Sequence, residues 1–484
     1  MRELFKTYLC IVFCLTVFAL KAQQFDTIYS KSNAEYVQDI KELSNGNYVI
    51  AGTIQVSANQ YAGVLSIVDS LGNIKVNKSL IENGVSLFCR NIIVRSNRII
   101  VFGDQTLNLH LQSSTDSVFI KIFDTNLNLQ ESHLFYFSDS LILGVSSVTV
   151  DHDRNIIRTG YSTIRNSVVR RPYIWKIDTN YNLVAKNDTM FFSWLSTFES
   201  TIDIEKDSSY YVFAMGMSGD YANMIMRFDY NLNYLSMDST RFDLGPPYSP
   251  VHYRKNEIIH TGKNHSVYGN QFDYGVIVLD SSFNKKWFKQ YRIQDTNQVP
   301  AMFNAVSKYM NNVFIGATYN SDYYFSNDTT WYQLTKMDTN YNVLWEKRFL
   351  GYTNDILTNV LATSDGGCLM AGWTHPPENT YYSIHLVKID SNGTATWTQN
   401  IKLPQTEIRL YPNPVSEKLT LETLAPNQRL EVYRIYDLQG KELMQASAGS
   451  GQLQIDVSCF AAGAYIIEGR TTDGGRFRAK FVKR

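Results

Sequence analysis

A unit of 51 to 58 residues recurs seven times along this 484-residue chain, and no other feature constrains its fold as strongly. Each unit has a short apolar run ending in glycine, a variable polar stretch, an apolar run ending in Asp, and then a turn and another strand-like run. The aspartates are Asp69, Asp124, Asp178, Asp229, Asp280, Asp338 and Asp390, spaced 55, 54, 51, 51, 58 and 52 residues apart. The glycines are Gly52, Gly103, Gly160, Gly216, Gly262, Gly316 and Gly372, each 13 to 22 residues before its Asp. Two markers on one beat define a structural unit.

Within a unit the periodicity is that of strands. Residues 47–52 (NYVIAG) and 383–389 (SIHLVKI) are short, apolar or alternating, and bounded by turn residues. Helical spacing is nowhere sustained over a dozen residues. Aromatic residues make up 13% of the chain, with 32 tyrosines, which suits pleated surfaces. Four strands fit each unit, the size of a propeller blade, in which radially packed sheets bury both faces and leave short edges. The expected fold is all-β, with a seven-bladed β-propeller-like domain. Residues 25–40 align without gaps on residues 345–360, so the N-terminal segment supplies an outer strand that can pair into the last blade and close the ring. Residues 396–401 (TWTQNI) compete for that place, and the sequence leaves both open.

The Asp-containing turns admit two readings. Asp178, Asn180 and Asn182, like Asp338, Asn340 and Asn342, set oxygen ligands at alternate positions, as a calcium loop begins. The sixth position is Leu183 or Val343 rather than glycine, and no glutamate stands at the twelfth. The simpler reading is a hairpin turn. Asp bonds its own backbone, and Asn, four residues later in six of the seven units, takes the left-handed conformation. The seventh unit has Thr394 there, with Gly393 supplying the freedom.

Lysine plus arginine and aspartate plus glutamate each number 45, so the long-range field that gathers nucleic acid is missing. Residues 1–23 read as a signal peptide: Arg2 and Lys6, an uncharged run over 8–20, then Lys21-Ala22-Gln23. That run is too short to span a bilayer, and no later segment could. Cys89, Cys368 and Cys459 are left in the mature chain, an odd number without metal-like spacing. The eight histidines include no metal motif, and no nucleophile elbow, phosphate loop or dinucleotide fingerprint occurs, so no cofactor, metal or catalytic residue is assigned. A polysaccharide hydrolase or lyase needs only carboxylates brought together from distant blades, which the sequence does not exclude. Enzymatic activity is therefore open, and recognition is the favoured reading. The variable stretches should all emerge on one face. Tyr323, Tyr324, Phe325 and Trp331 in the sixth unit, and Trp373, Tyr381 and Tyr382 in the seventh, could stack on sugar rings or pack between blades. Arg165, Arg170 and Arg171 in the third read as a solvated hairpin rather than an anion site.

Beyond residue 402 the repeat stops. LYPNPVSEKLTLE from Leu410, with Tyr411, Pro412, Asn413 and Pro414, opens a new pattern. YDLQGKEL follows with Asp437 and Gly440, then IDVSCFAAGAYIIEG with Gly463 and Tyr465, then a basic KFVKR end. Together these blocks resemble the type A C-terminal sorting domain of the type IX secretion system of Bacteroidetes, with Cys459-Phe460 a departure that bears on packing. The resemblance implies a small immunoglobulin-like sandwich over 403–484, following a propeller over 24–402. It further implies an outer-membrane translocon and a sorting protease as partners. The product is released or held at the cell surface. The expected protein is a secreted or cell-surface propeller that binds a glycan or a protein.

Overall fold

The computed structural model describes residues 24–29, 35–57, 60–107, 117–136, 140–142, 147–164, 170–187, 195–204, 208–216, 223–240, 244, 248–254, 256–265, 272–291, 297–321, 329–375, 382–395, 408–423, 429–437, 442–447, 452–471 and 476–484. Residues 1–23, read above as a signal peptide, lie outside them, as does the 396–401 segment. Two compact units divide between Thr398 and Gln399.

The N-terminal unit is seven antiparallel sheets in chain order, over 35–80, 85–136, 140–187, 195–240, 248–291, 298–353 and 356–389. The last is completed by the N-terminal strand Phe25–Tyr29, whose Phe25 to Tyr29 pair with Lys388 to Ile384. Of the two closing candidates, the N-terminal strand therefore takes the outer edge of the seventh sheet. Each sheet packs on the next. Leu65 meets Leu87 and Val101 between the first and second, and Ile120 meets Ile156 between the second and third. Ile157 and Ile174 meet Val212 between the third and fourth, and Ile225 meets Ile258 between the fourth and fifth. Val276 meets Val313 between the fifth and sixth, and Phe314 meets Val360 and Met370 between the sixth and seventh. Leu369 and Leu386 of the seventh return to Ile40 and Ile50 of the first. Seven seams close the ring of a β-propeller, with inner strands at the axis.

This arrangement explains the sequence pattern. A strand flanked by sheets on both faces is buried at every residue, as Ser383–Ile389 is, so Ile384, Leu386, Val387 and Ile389 are enclosed and its polar His385 and Lys388 are paired with Asp26 and Asp365. Outer strands such as Ile74–Leu80 face water on one side and alternate. The repeated glycine sits where a neighbour presses on the second strand: a Cβ at Gly103 would lie 2.1 Å from the Phe119 ring.

The Asp turns are three-residue hairpin loops, and they correct one expectation. In each, the backbone amides two and four residues on donate to the Asp carboxylate, as Asn180 N and Asn182 N do to Asp178 at 2.9 and 2.8 Å. The Asn side chain then donates to the second carboxylate oxygen, at 3.2 Å for Asn182. These bonds engage the oxygens that a calcium reading would need, and bonds from Asn182 hold the Asp178 carboxyl below the usual carboxylate range. The left-handed residue is the third after Asp rather than the Asn: Leu127, Tyr181, Leu232, Phe283 and Tyr341 have φ of 61° to 67°, with Gly72 and Gly393 at the matching places. Asn resumes the strand, and its amide, not its backbone freedom, is what the turn uses.

The C-terminal unit is a sandwich. Ile408–Tyr411, Lys418–Thr423 and Gln452–Asp456 form one sheet; Glu442–Ser447, Leu430–Tyr436, Gly463–Thr471 and Arg476–Lys483 form the other. Leu419, Leu421 and Ile455 from the first share a core with Ile435, Ile467 and Phe481 from the second.

Candidate functional site

Alternate ends of the ring carry different chain segments. The first-to-second-strand turns and the Asp turns lie at one end; the second-to-third-strand connections leave from the other. All seven of those connections include residues outside the described set, among them Tyr323, Tyr324, Phe325, Tyr381 and Arg165. Trp331 and Trp373 are described, as is Tyr382. The strand ends at this connection end carry a belt of half-buried aromatic rings. Trp373 meets Tyr36 edge-on with centroids 5.2 Å apart and lies 6.2 Å from Tyr382; Tyr36 and Tyr382 are 5.9 Å apart. These three rings straddle the seam between the seventh and first sheets. Trp331 meets Tyr319 edge-on at 5.5 Å in the sixth sheet, with the Arg348 guanidinium 3.5 Å over the Tyr319 ring. Tyr61 and Phe88 add a pair at 5.3 Å across the first and second sheets. Of these rings, sequence reasoning singles out Trp331, Trp373 and Tyr382, which the structure places at this end. It does not single out Tyr36, Tyr61, Phe88 or Tyr319, whose ring partners lie on other strands, across a seam for Tyr36, Tyr61 and Phe88 and within the sixth sheet for Tyr319.

At the axis, a polar belt joins four sheets. The inner strand of the sixth sheet breaks after Gln298–Pro300 and resumes at Val306–Tyr309. The intervening backbone crosses to the seventh sheet, Phe303 N donating to Thr358 O at 2.9 Å and Val360 N to Asn304 O at 2.8 Å. The Asn304 side-chain amide then donates to Asn359 at 2.6 Å and to Asp39 of the first sheet at 3.1 Å. Asp39 also accepts from Ile40 N, Lys41 Nζ and, in the second sheet, Ile92 N, at 2.7 to 2.8 Å. Four donors converge on this carboxylate, which ties the inner strands of the first, second and sixth sheets together.

On the turn side of this belt lies a cavity of about 460 Å³ whose wall includes Ile40, Lys41, His252, Asn304, Ser307, Lys308 and Val360. Sequence reasoning put recognition at the other end and did not foresee it. A second polar group lies between the second and third sheets: fully buried Arg158 donates to Asp104 at 2.7 Å and to the Tyr173 hydroxyl at 3.2 Å, and the partly exposed Arg90 donates to Asp104 at 2.9 Å.

In the C-terminal unit, residues far apart in sequence meet. Val482 N donates to Asn413 Oδ1 at 2.9 Å and Asn413 Nδ2 to Lys480 O at 3.3 Å. Val415 N donates to Val482 O at 2.8 Å and Arg484 N to Val415 O at 2.9 Å. The Tyr-Pro-Asn-Pro segment, whose Tyr411–Pro412 and Asn413–Pro414 peptides are both cis, is thus stitched to the basic C-terminal strand. The Tyr411 hydroxyl accepts from Gln452 at 2.9 Å. Tyr465, at the strand that Gly463 opens, donates to Ala461 O at 2.7 Å, and its ring lies 5.2 Å from Phe460 and 5.5 Å from Phe481. Phe460 at the departing position therefore fills space against Tyr465. Asp437 ends the strand Leu430–Tyr436, and Gly440 lies outside the described residues.

Residues 409–484 match the family described as the secretion system C-terminal sorting domain. The match indicates export to the cell surface or the extracellular space. No curated protein is close enough in sequence to match the chain. Among solved structures, the β-propeller domain of the trilobed protease from Pyrococcus furiosus is 11% identical with a TM-score of 0.43, over 77% of this chain and 99% of that one. A protein of unknown function from Dyadobacter fermentans is 8% identical with a TM-score of 0.45, over 76% and 98%. The acylaminoacyl peptidase of Pyrococcus horikoshii is 12% identical with a TM-score of 0.44; 82% of this chain is covered, and it spans 59% of that enzyme's length. The fold assignment rests on sheet order and seams rather than on these likenesses. Among the described residues, no helix is long and apolar enough to cross a membrane.

Proposed function

We propose that this chain is a type IX secretion cargo whose propeller works outside the cell as a glycan-recognition module, with the ligand received at the connection end of the ring. The observation that carries the reading is the Tyr36, Trp373 and Tyr382 group beside the Trp331 and Tyr319 pair. Planar, half-buried rings on rigid strand ends offer apolar faces at low entropic cost, which suits the C–H faces of sugars. Nearby backbone connections supply the adaptable polar contacts that loops on a scaffold supply. The saturated state of Asp39 favours binding over hydrolysis at the axis.

In this reading the outer-membrane translocon recognises the sandwich, and the sorting protease removes it. Intact mass spectrometry of the exported protein should show residues 409–484 missing; a cell-free fraction retaining them would overturn the processing step. Glycan-array binding by the intact chain tests recognition. Trp373→Ala and Tyr36→Ala should each weaken the best glycan by about tenfold, the scale of one lost aromatic contact. Binding confined to protein ligands, or indifferent to both substitutions, would refute the glycan assignment.

A further inference from the structure

The cavity at the turn end is independent of the recognition reading and has its own chemistry. Its volume of about 460 Å³ falls within the range of small-molecule sites. Aliphatic side chains from four sheets form its walls: Ile40, Val251, Val306 and Val360. Its polar groups are two lysines, a histidine, a serine and an amide, so the charge it presents is positive. Asp39, with a side chain only 3% exposed, offsets the Lys41 charge and is not paired with Lys308, so a positive charge remains. Lys41 touches Asp39 at 2.7 Å but keeps about a third of its side chain open. Lys308 donates to the Tyr253 carbonyl. It has no carboxylate partner among the described residues, and burial, with the Arg254 charge nearby, pushes its pKa down. A carbonyl positions an ammonium without neutralising it, and low-dielectric walls focus the remaining field into the cavity.

We propose that the turn-end cavity is a binding site for a small organic anion, its carboxylate or phosphate held by the Lys308 and Lys41 ammonium groups and its body against the aliphatic walls. Lysines suit this task as movable point charges, since they do not require the planar match that arginine imposes.

Calorimetric titration of the intact chain with galacturonate, galactose and inorganic phosphate tests it. At least one of the two anions should saturate the protein while galactose does not, and their order of affinity distinguishes a carboxylate from a phosphate site. Lys308→Met should weaken the bound anion by about tenfold or more, with Lys308→Arg retaining most of the affinity. Lys41→Met provides a second reading if the first variant fails to fold. The proposal fails if neither anion binds, if galactose binds as well as galacturonate, or if both lysine variants bind like the parent. Galacturonate binding that Trp373→Ala abolishes would belong to the connection end and would also overturn it.

Discussion

Arg158 is fully buried, and its charge is answered by one carboxylate that it shares with Arg90. Desolvating an ion costs several kcal/mol, and a neighbour recovers that cost only if geometry is good, so the group depends on Asp104 more than the sheet depends on the group. Asp104→Ala should lower stability by about 3–5 kcal/mol in urea unfolding, because it leaves the buried Arg158 without its carboxylate. Replacing all three charged groups together by Leu or Met should restore most of that loss. A single variant as stable as the parent would show that water reaches the seam. Nothing in the sequence marks Asp104 or Arg158 as partners. They stand 54 residues apart, one repeat, which is the separation of residues facing each other across adjacent sheets. The same separation joins Asp39 with Ile92 at 53 residues and Asn304 with Asn359 at 55. The period thus carried contact information, but only for a reader who knew which face of each strand pointed to the seam.

At the scale of the element, the Asp turn shows what sequence chemistry reads well and where it misleads. The Asp and the Asn were visible as turn residues, and both bond as turn residues do. The left-handed position was misplaced because tolerance of positive φ points to Asn, whereas the ring puts there a side chain it needs to bury. Leu127 and Leu232 are 1% and 2% exposed and fill the seam with the preceding sheet. A left-handed backbone costs about 1–2 kcal/mol, and burying a leucine returns about as much or more. The first turn differs because the closing strand already fills that space: a Cβ on Gly72, with φ of 83°, would lie 2.8 Å from the Phe25 ring and 3.0 Å from Thr27. Leucine, the residue two sister turns use, should therefore be harmful here. Gly72→Leu is expected to cost about 2–4 kcal/mol through backbone strain and overpacking, read as a lowered thermal midpoint. A neutral result would mean that Phe25 does not hold its place. The number of units was legible because turns punctuate it. The break in the sixth inner strand was not, since residues 301–305 (AMFNA) carry no signal beyond ordinary polarity.

A ring must close, and here one five-residue strand closes it. Tyr29 donates to the Gly72 carbonyl at 2.5 Å, the same service that Lys78 renders to Leu127, Asn187 to Leu232 and Lys347 to Gly393 in other seams. The N-terminal strand thus completes the seventh sheet and also docks the turn of the first. A buried charge group fastens it: His385 Nε2 donates to Asp26 Oδ1 at 2.7 Å, and Nδ1 faces Asp355 at 3.6 Å, beneath the Tyr332 ring. Burial opposes charge on His385, but the hydrogen bonds and charges of Asp26 and Asp355 lift its pKa to about 9. Burial also raises the Asp355 carboxyl, and it holds the Tyr332 hydroxyl protonated far into the alkaline range. A histidine whose pKa rises from 6.5 on folding adds stability that is complete below about pH 6.5 and fades as pH climbs through about 9. The parent should therefore lose stability between about pH 7 and 10, by at most roughly 3 kcal/mol for this group. His385→Gln should be less stable at neutral pH and should lack that component, so the difference between the two urea midpoints should shrink as pH rises. If the difference is constant across that window, the imidazole is neutral in the folded ring, and its charge adds nothing to the hold on the closing strand.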